Sequence, residues 1–112
     1  MQPQHRLRAR ADFERARRRG RSWGTPLLGL TAARNDLAVT RCACAVSRRV
    51  GNAVVRNRVR RRLREILRRR LSHLAPGWDL VFSARPAAAE ATFDDLTRSV
   101  GDLLARARLW PH

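Results

Sequence analysis

The sequence predicts an α/β sandwich, with one small sheet, amphipathic helices packed on one face of it, and the other face partly open. Two observations carry this. Segments with a helical spacing of apolar residues alternate with short segments of two-residue period, in the order helix, strand, strand, helix, strand, helix. Turn and breaker residues separate them, at Gly20, at Arg34-Asn35-Asp36 and at Pro76-Gly77. A length of 112 residues suits one domain, read as 1–112, with residues 1–11 expected to form a flexible basic arm.

Each element has a local reason. Asp12 is a candidate cap for a short helix, Phe13 to Arg19, that Gly20 stops. PLLGLTAA, Pro26 to Ala33, is a short apolar strand. VTRCACAVS, Val39 to Ser47, is a second strand: Thr40, Cys42, Cys44 and Val46 form its core face, and Val39, Arg41, Ala43, Ala45 and Ser47 the other. Asn52 is the candidate cap of a long helix within residues 51–74, whose stripe is Val55, Val59, Leu63, Ile66, Leu67, Leu71 and Leu74. Arg70 falls inside that stripe, so either its stem snorkels or the helix frays there. WDLVFSAR, Trp78 to Arg85, is a third strand, with Trp78, Leu80, Phe82 and Ala84 on one face and Asp79, Val81, Ser83 and Arg85 on the other. Pro86 to Ala91 reads as a linker. Thr92 and Asp95 have capping-box spacing before the last helix, whose stripe is Phe93, Leu96, Val100, Leu103, Leu104 and Ala107.

Charge dominates the functional reading. The chain carries 25 basic residues against 9 acidic ones, a net charge of +16, and every basic residue is arginine. Nine of these lie between Arg56 and Arg70, with Glu65 the one acid among them. Arg56/Arg60, Arg58/Arg62, Arg60/Arg64 and Arg64/Arg68 are like-charge i,i+4 pairs, which together cost about 1–2 kcal/mol. A solvated helix face would mix signs. A one-signed guanidinium face points instead to phosphate, which arginine grips bidentately, and counterion release on binding compensates the repulsion.

Other chemistry is poorly supported. No nucleophile–base arrangement and no Walker-type glycine loop is present, so no catalytic residue is assigned. Asp94 and Asp95 fit a helix start better than a metal pair. Cys42 and Cys44 are too close along one strand face to bridge and read as small buried hydrophobes, which fits a reducing cytoplasm. No apolar run reaches the length of a membrane span and no secretory signal opens the chain. A basic amphipathic membrane binder and a ribosomal or other structural RNA-binding protein stay open as alternatives on charge alone.

VSRRVGNAVVRNRVRRRLRE, residues 46–65, resembles the signature of the bacterial ribonuclease P protein family. LRARADFERARRRG resembles that family's opening helix and WDLVFSARP its third strand, so the resemblance spans about residues 6–109. It implies a mixed sheet with a left-handed βαβ crossover around the arginine-rich helix, and one extra strand near residues 20–47. It implies a catalytic RNA subunit as partner and precursor tRNA as substrate, cut to remove the 5′ leader, with no membrane and no small-molecule substrate. Mg2+ would be bound mainly by RNA and substrate, with the protein aiding leader binding and metal affinity. Matched position by position, Asn52, Arg56, Asn57, Arg58, Arg60, Arg61 and Arg64 would contact the RNA subunit. Phe13, Arg17, Arg41, Ala43, Ala45, Ser47, Arg48, Arg49 and Arg85 would line the leader cleft. Two positions depart from the family pattern: Arg17 stands where a second cleft aromatic is usual, and Leu30 where an aromatic is common. Leader binding is therefore expected to lean on charge more than on stacking.

Overall fold

The computed structural model describes residues 3–110. Three helices and four strands follow one another as α1 (Arg10–Arg19), β1 (Arg21–Gly24), β2 (Leu28–Arg34), β3 (Arg41–Val46), α2 (Ala53–Arg70), β4 (Trp78–Ala84) and α3 (Phe93–Arg106). The mixed sheet has the order β1-β2-β4-β3. β2 pairs antiparallel with β1 and β4, whereas β3 lies parallel to β4, with α2 crossing between them.

The strand not expected from the residues themselves is β1. Its sequence, RSWG, has one large apolar residue and too little length to show a period. It forms because β2 offers an edge, which sets Trp23 opposite Leu30. Residues 39 and 40, expected in the second strand, belong instead to a turn in which Asn35 donates to Val39 O at 3.0 Å and accepts from Leu37 N at 2.8 Å. α2 ends at Arg70, and Leu71–His73 tighten into a 3-10 turn. Another such turn, Pro86–Glu90, occupies the expected linker. The capping box of α3 is formed in both directions between Thr92 and Asp95.

The main core lies between the sheet and α2 plus α3. Leu28, Leu30, Leu80, Phe82 and Cys42 meet Val59, Leu63, Leu67, Leu96, Val100 and Leu103 there. Leu30 is therefore core, on the opposite side of the sheet from Phe13, Ala43 and Ala45. Helices on one face holds for α2 and α3 only. α1 packs on the opposite face, where Ala16, Ala33, Val81 and Leu7 form a smaller cluster with Phe13, Ala43 and Ala45. Gly20 makes this close approach possible, since a Cβ there would come within 2.9 Å of Ala32 O on β2.

The N-terminal segment is not a free arm in its described part. Leu7 is buried, its N–H donates to Cys42 O at 2.9 Å, and His5 Nδ1 lies 3.0 Å from Thr40 O. This covers the free edge of β3. The rest of that arm, residues 1–2, lies outside the described residues.

An ion-pair network ties α1 to the sheet. Asp79 of β4 is 1% exposed. Arg41 donates to it through Nε and Nη2, both at 2.8 Å, and Asn35 Nδ2 donates at 2.9 Å. Asp12 accepts from Arg41 Nη1 at 3.3 Å and from Arg15. So Asp12 does not cap α1, which begins at Arg10 with Ala9 at the cap position and no side-chain cap bond. The hydrogen bonds that Arg41 donates to Asp79 hold it above its ordinary pKa. Asp79→Ala strands that guanidinium and should cost about 3–5 kcal/mol, read from the urea midpoint. A loss under about 1 kcal/mol would show that the network does not anchor α1.

Candidate nucleic-acid interface

Two basic surfaces meet at one residue. The first is the outward face of α2. It is entered through a turn in which Val50 N donates to Ser47 O at 3.1 Å, leaving Ser47, Arg48 and Arg49 exposed. Gly51 then takes φ +156, and a Cβ there would sit 3.0 Å from the Val55 side chain, so glycine is needed to bring Asn52 to the helix cap. Asn52 Oδ1 accepts from Val55 N at 3.0 Å. Its carbonyl oxygen is thus engaged in starting α2, while the residue itself stays exposed at the helix entry.

Along α2 the sequence-assigned residues separate into two groups. Asn57, Arg60, Arg61 and Arg64 line one groove with Arg68 and Phe93. Arg60 Nη1 donates to Asn57 Oδ1 at 2.9 Å, which pre-orients both side chains. Arg58 is not part of that lining and donates to Ala89 O at 3.1 Å, while Arg62 lines the groove and also donates to Ala91 O at 3.0 Å. These two arginines fasten α2 to the segment before α3, so Arg58 is not the purely surface residue its motif position suggests. Arg56 is half-buried, with Nε lacking an acceptor among the described residues.

The second surface is a shallow pocket of about 120 Å³ at the β3 edge, lined by Phe13, Ala43, Cys44, Arg64, Arg6 and Arg8 among others. Phe13 is half-buried against Ala43 and Ala45, whose small side chains leave the sheet approachable. Arg17 is exposed one turn further along α1. Arg41 does not join this pocket as a free cation, because Asp79 and Asp12 neutralise it. Arg85 shares the sheet face of Ala45 but leans away over β1 and β2, donating to Thr25 O and lying beside Gly24. Arg6 and Arg8 were not among the expected cleft residues. Their signal was the alternation Arg6-Leu7-Arg8, an isolated apolar residue at strand spacing.

The electrostatics are one-sided. Glu65 answers Arg68 and Arg69, and its hydrogen bonds from Arg68 and Arg69 hold it at about 2, fully ionised. Among the described residues no carboxylate pairs with Arg48, Arg49, Arg61 or Arg64. Burial pushes the Cys44 thiol up to about 11 despite the pull of Arg64 and Arg60, so it stays neutral at pH 7. Among the described residues no three His, Cys, Asp or Glu side chains gather as a metal site would need. What the arrangement can do is bind a polyanion along α2 and turn it over Arg64 into the pocket beside Phe13.

The chain matches a family model described as Ribonuclease P over residues 1–108. It is 48% identical to the ribonuclease P protein component of Roseiflexus castenholzii over 108 residues, covering 96% of this chain and 88% of the relative. It is 38% identical to that of Clostridium novyi, covering 98% of this chain and 99% of the relative. The RNase P protein of Staphylococcus aureus superposes with a TM-score of 0.88 at 28% identity, covering 95% of this chain and 97% of that one. The RNase P protein of Thermotoga maritima gives 0.82 at 28% identity, covering 90% and 96%.

The two groups of α2 arginines separate by measurement. Arg61→Ala should weaken RNA binding by about 1.5–3 kcal/mol while the thermal melt stays put. Arg58→Ala should lower the melt as well, by about 1 kcal/mol in stability, because Ala89 O loses its donor. Filter binding and circular dichroism on both variants decide it; an unmoved Arg58→Ala melt would reduce the Ala89 contact to a surface feature.

Proposed function

The chain belongs to the ribonuclease P protein family, and from that membership we propose a division of labour between its two surfaces. It is the RNA-binding protein subunit of ribonuclease P, the endoribonuclease that removes the 5′ leader of precursor tRNA, and its partner is the RNA subunit. In our reading the α2 face, through Asn57, Arg60, Arg61 and Arg64, docks on that RNA. The pocket beside Phe13 takes the single-stranded leader of the precursor tRNA, with Arg6, Arg8 and Arg17 along its rim and Arg48 and Arg49 on the turn that follows β3. The observation that carries this is Arg64, which lines both surfaces and makes them one continuous cationic track.

The chain's own residues bind and orient; the cleavage chemistry is the RNA's. The donor set does not fit a resident magnesium ion, since Asp12 and Asp79 are already held by Arg15 and Arg41. We therefore assign Mg2+ to the RNA and the substrate, and derive no protein step through it. Among the described residues no helix is long and apolar enough to cross a membrane. From the RNA partner, not from that absence, we infer a cytoplasmic location.

Two outcomes test this reading. The purified chain alone should cleave nothing, whereas mixed with its RNA subunit and Mg2+ it should release the leader from precursor tRNA at one site; specific cleavage by RNA-free protein would sink it. On the leader, each phosphate contact adds about −0.7 to the slope of log K against log salt. Arg17→Phe should flatten that slope and keep affinity at high salt through stacking, worth about 1–3 kcal/mol per base. Phe13→Ala should lose affinity at every salt concentration with the slope unchanged. Precursors with and without a leader, titrated across salt, make the comparison, and an unchanged slope for Arg17→Phe would place Arg17 outside the leader path.

A further inference from the structure

Phe93 lines the α2 groove on one side and a second groove on the other, about 400 Å³ in volume, between the last turn of α2 and the start of α3. The second groove is walled by Arg69, Arg70, His73, Asp94 and Trp110 as well. Two of its guanidinium groups face aromatic rings: Arg69 Cζ is 5.8 Å from the Phe93 centroid and Arg70 Cζ is 4.8 Å from that of Trp110. Arg70 also lies against Gly101, where a Cβ would come within 3.5 Å of its Nη2. Trp110 Nε1 has no acceptor among the described residues. Arg69, His73 and Asp94 are exposed, and Asp94 makes no ion pair among the described residues.

We propose that this groove receives one unpaired nucleotide of the RNA subunit, so that the RNA face of α2 continues past Phe93 onto α3. The inference rests on the reading that α2 docks on that RNA. Rings capped by guanidinium planes are stacking platforms for a base that has left its helix. The Nη groups of Arg69, whose Nε donates to Glu65 at 3.0 Å, and the N–H of His73 are donors at the mouth for the attached phosphate. Asp94 is an acceptor only, so it suits a base with an exocyclic amine, which adenine, cytosine and guanine have and uracil lacks. The shared Phe93 makes this groove continuous with the one that holds Arg61 and Arg68, and its cations outnumber its one carboxylate.

Photocrosslinking of the full chain assembled with its RNA subunit, in the absence of precursor tRNA, tests it. A benzoylphenylalanine at position 73 should crosslink to an unpaired adenosine, cytidine or guanosine, and one at position 61 to a different stretch of the same RNA. Crosslinking from 61 without 73 overturns the groove and leaves the α2 reading standing; silence from both overturns both. A crosslink from 73 to a uridine or to a base-paired nucleotide overturns the chemistry stated here. The Arg69→Ala/His73→Ala double variant should bind the RNA subunit about tenfold more weakly with an unchanged circular dichroism spectrum, and full affinity in it would also overturn the proposal.

Discussion

The buried carboxylate of Asp79 is the constraint around which one face of this molecule is arranged. It sits on β4, accepts both arms of Arg41 from β3 and the amide of Asn35 from the turn between β2 and β3. Through Arg41 and Arg15 it reaches Asp12 on α1. A carboxylate this deep is unfavourable unless every lone pair is met. Meeting them fixes three elements relative to one another, and α1 is thereby held at the distance that gives Phe13 its place over Ala43 and Ala45.

A helix covered in one sign of charge has to be held by other means, and α2 shows several. Arg58 and Arg62 spend their donors on carbonyls of the segment before α3. Glu65 bridges Arg68 and Arg69, and Arg69 and Arg70 lie over aromatic rings. The apolar stripe of Val59, Leu63, Ile66 and Leu67 is fully buried beneath them. Among the described residues Arg56, Arg60, Arg61 and Arg64, with Arg48 and Arg49 at the helix entry, have no carboxylate partner, and on the proposed reading phosphate supplies the missing charge. Arginines fastened to neighbouring carbonyls and arginines without a carboxylate partner among the described residues thus lie a few residues apart on the same helix.

The sequence by itself determined the helices α2 and α3, the strands β2 to β4, and the chemical class of the ligand. Those follow from period, caps and net charge, which are local or additive properties. The Asn52 cap, the Thr92–Asp95 capping box and the stripe of α2 from Val55 to Leu67 are present as they were read, while Leu71 and Leu74 lie beyond the end of the helix. The motif at residues 46–65 was legible as a string, and so were most of the residues that share the α2 groove.

Only the tertiary structure decided which arginines are free. Arg41 and Arg61 look alike in the sequence, yet Asp79, 38 positions from Arg41, takes up the first, and among the described residues no carboxylate reaches the second. Leu30 and Phe13 were both set beside the cleft by position, and strand pairing sent Leu30 opposite Phe82 into the main core. β1 and the docking of Leu7 on the β3 edge exist because neighbouring strands offer unpaired backbone groups, and a local pattern such as Arg6-Leu7-Arg8 does not say which edge it meets. The physical reason is common to all of these: hydrogen bonds and ion pairs between distant segments are satisfied by three-dimensional proximity, and a one-dimensional pattern carries the demand for a partner without its address.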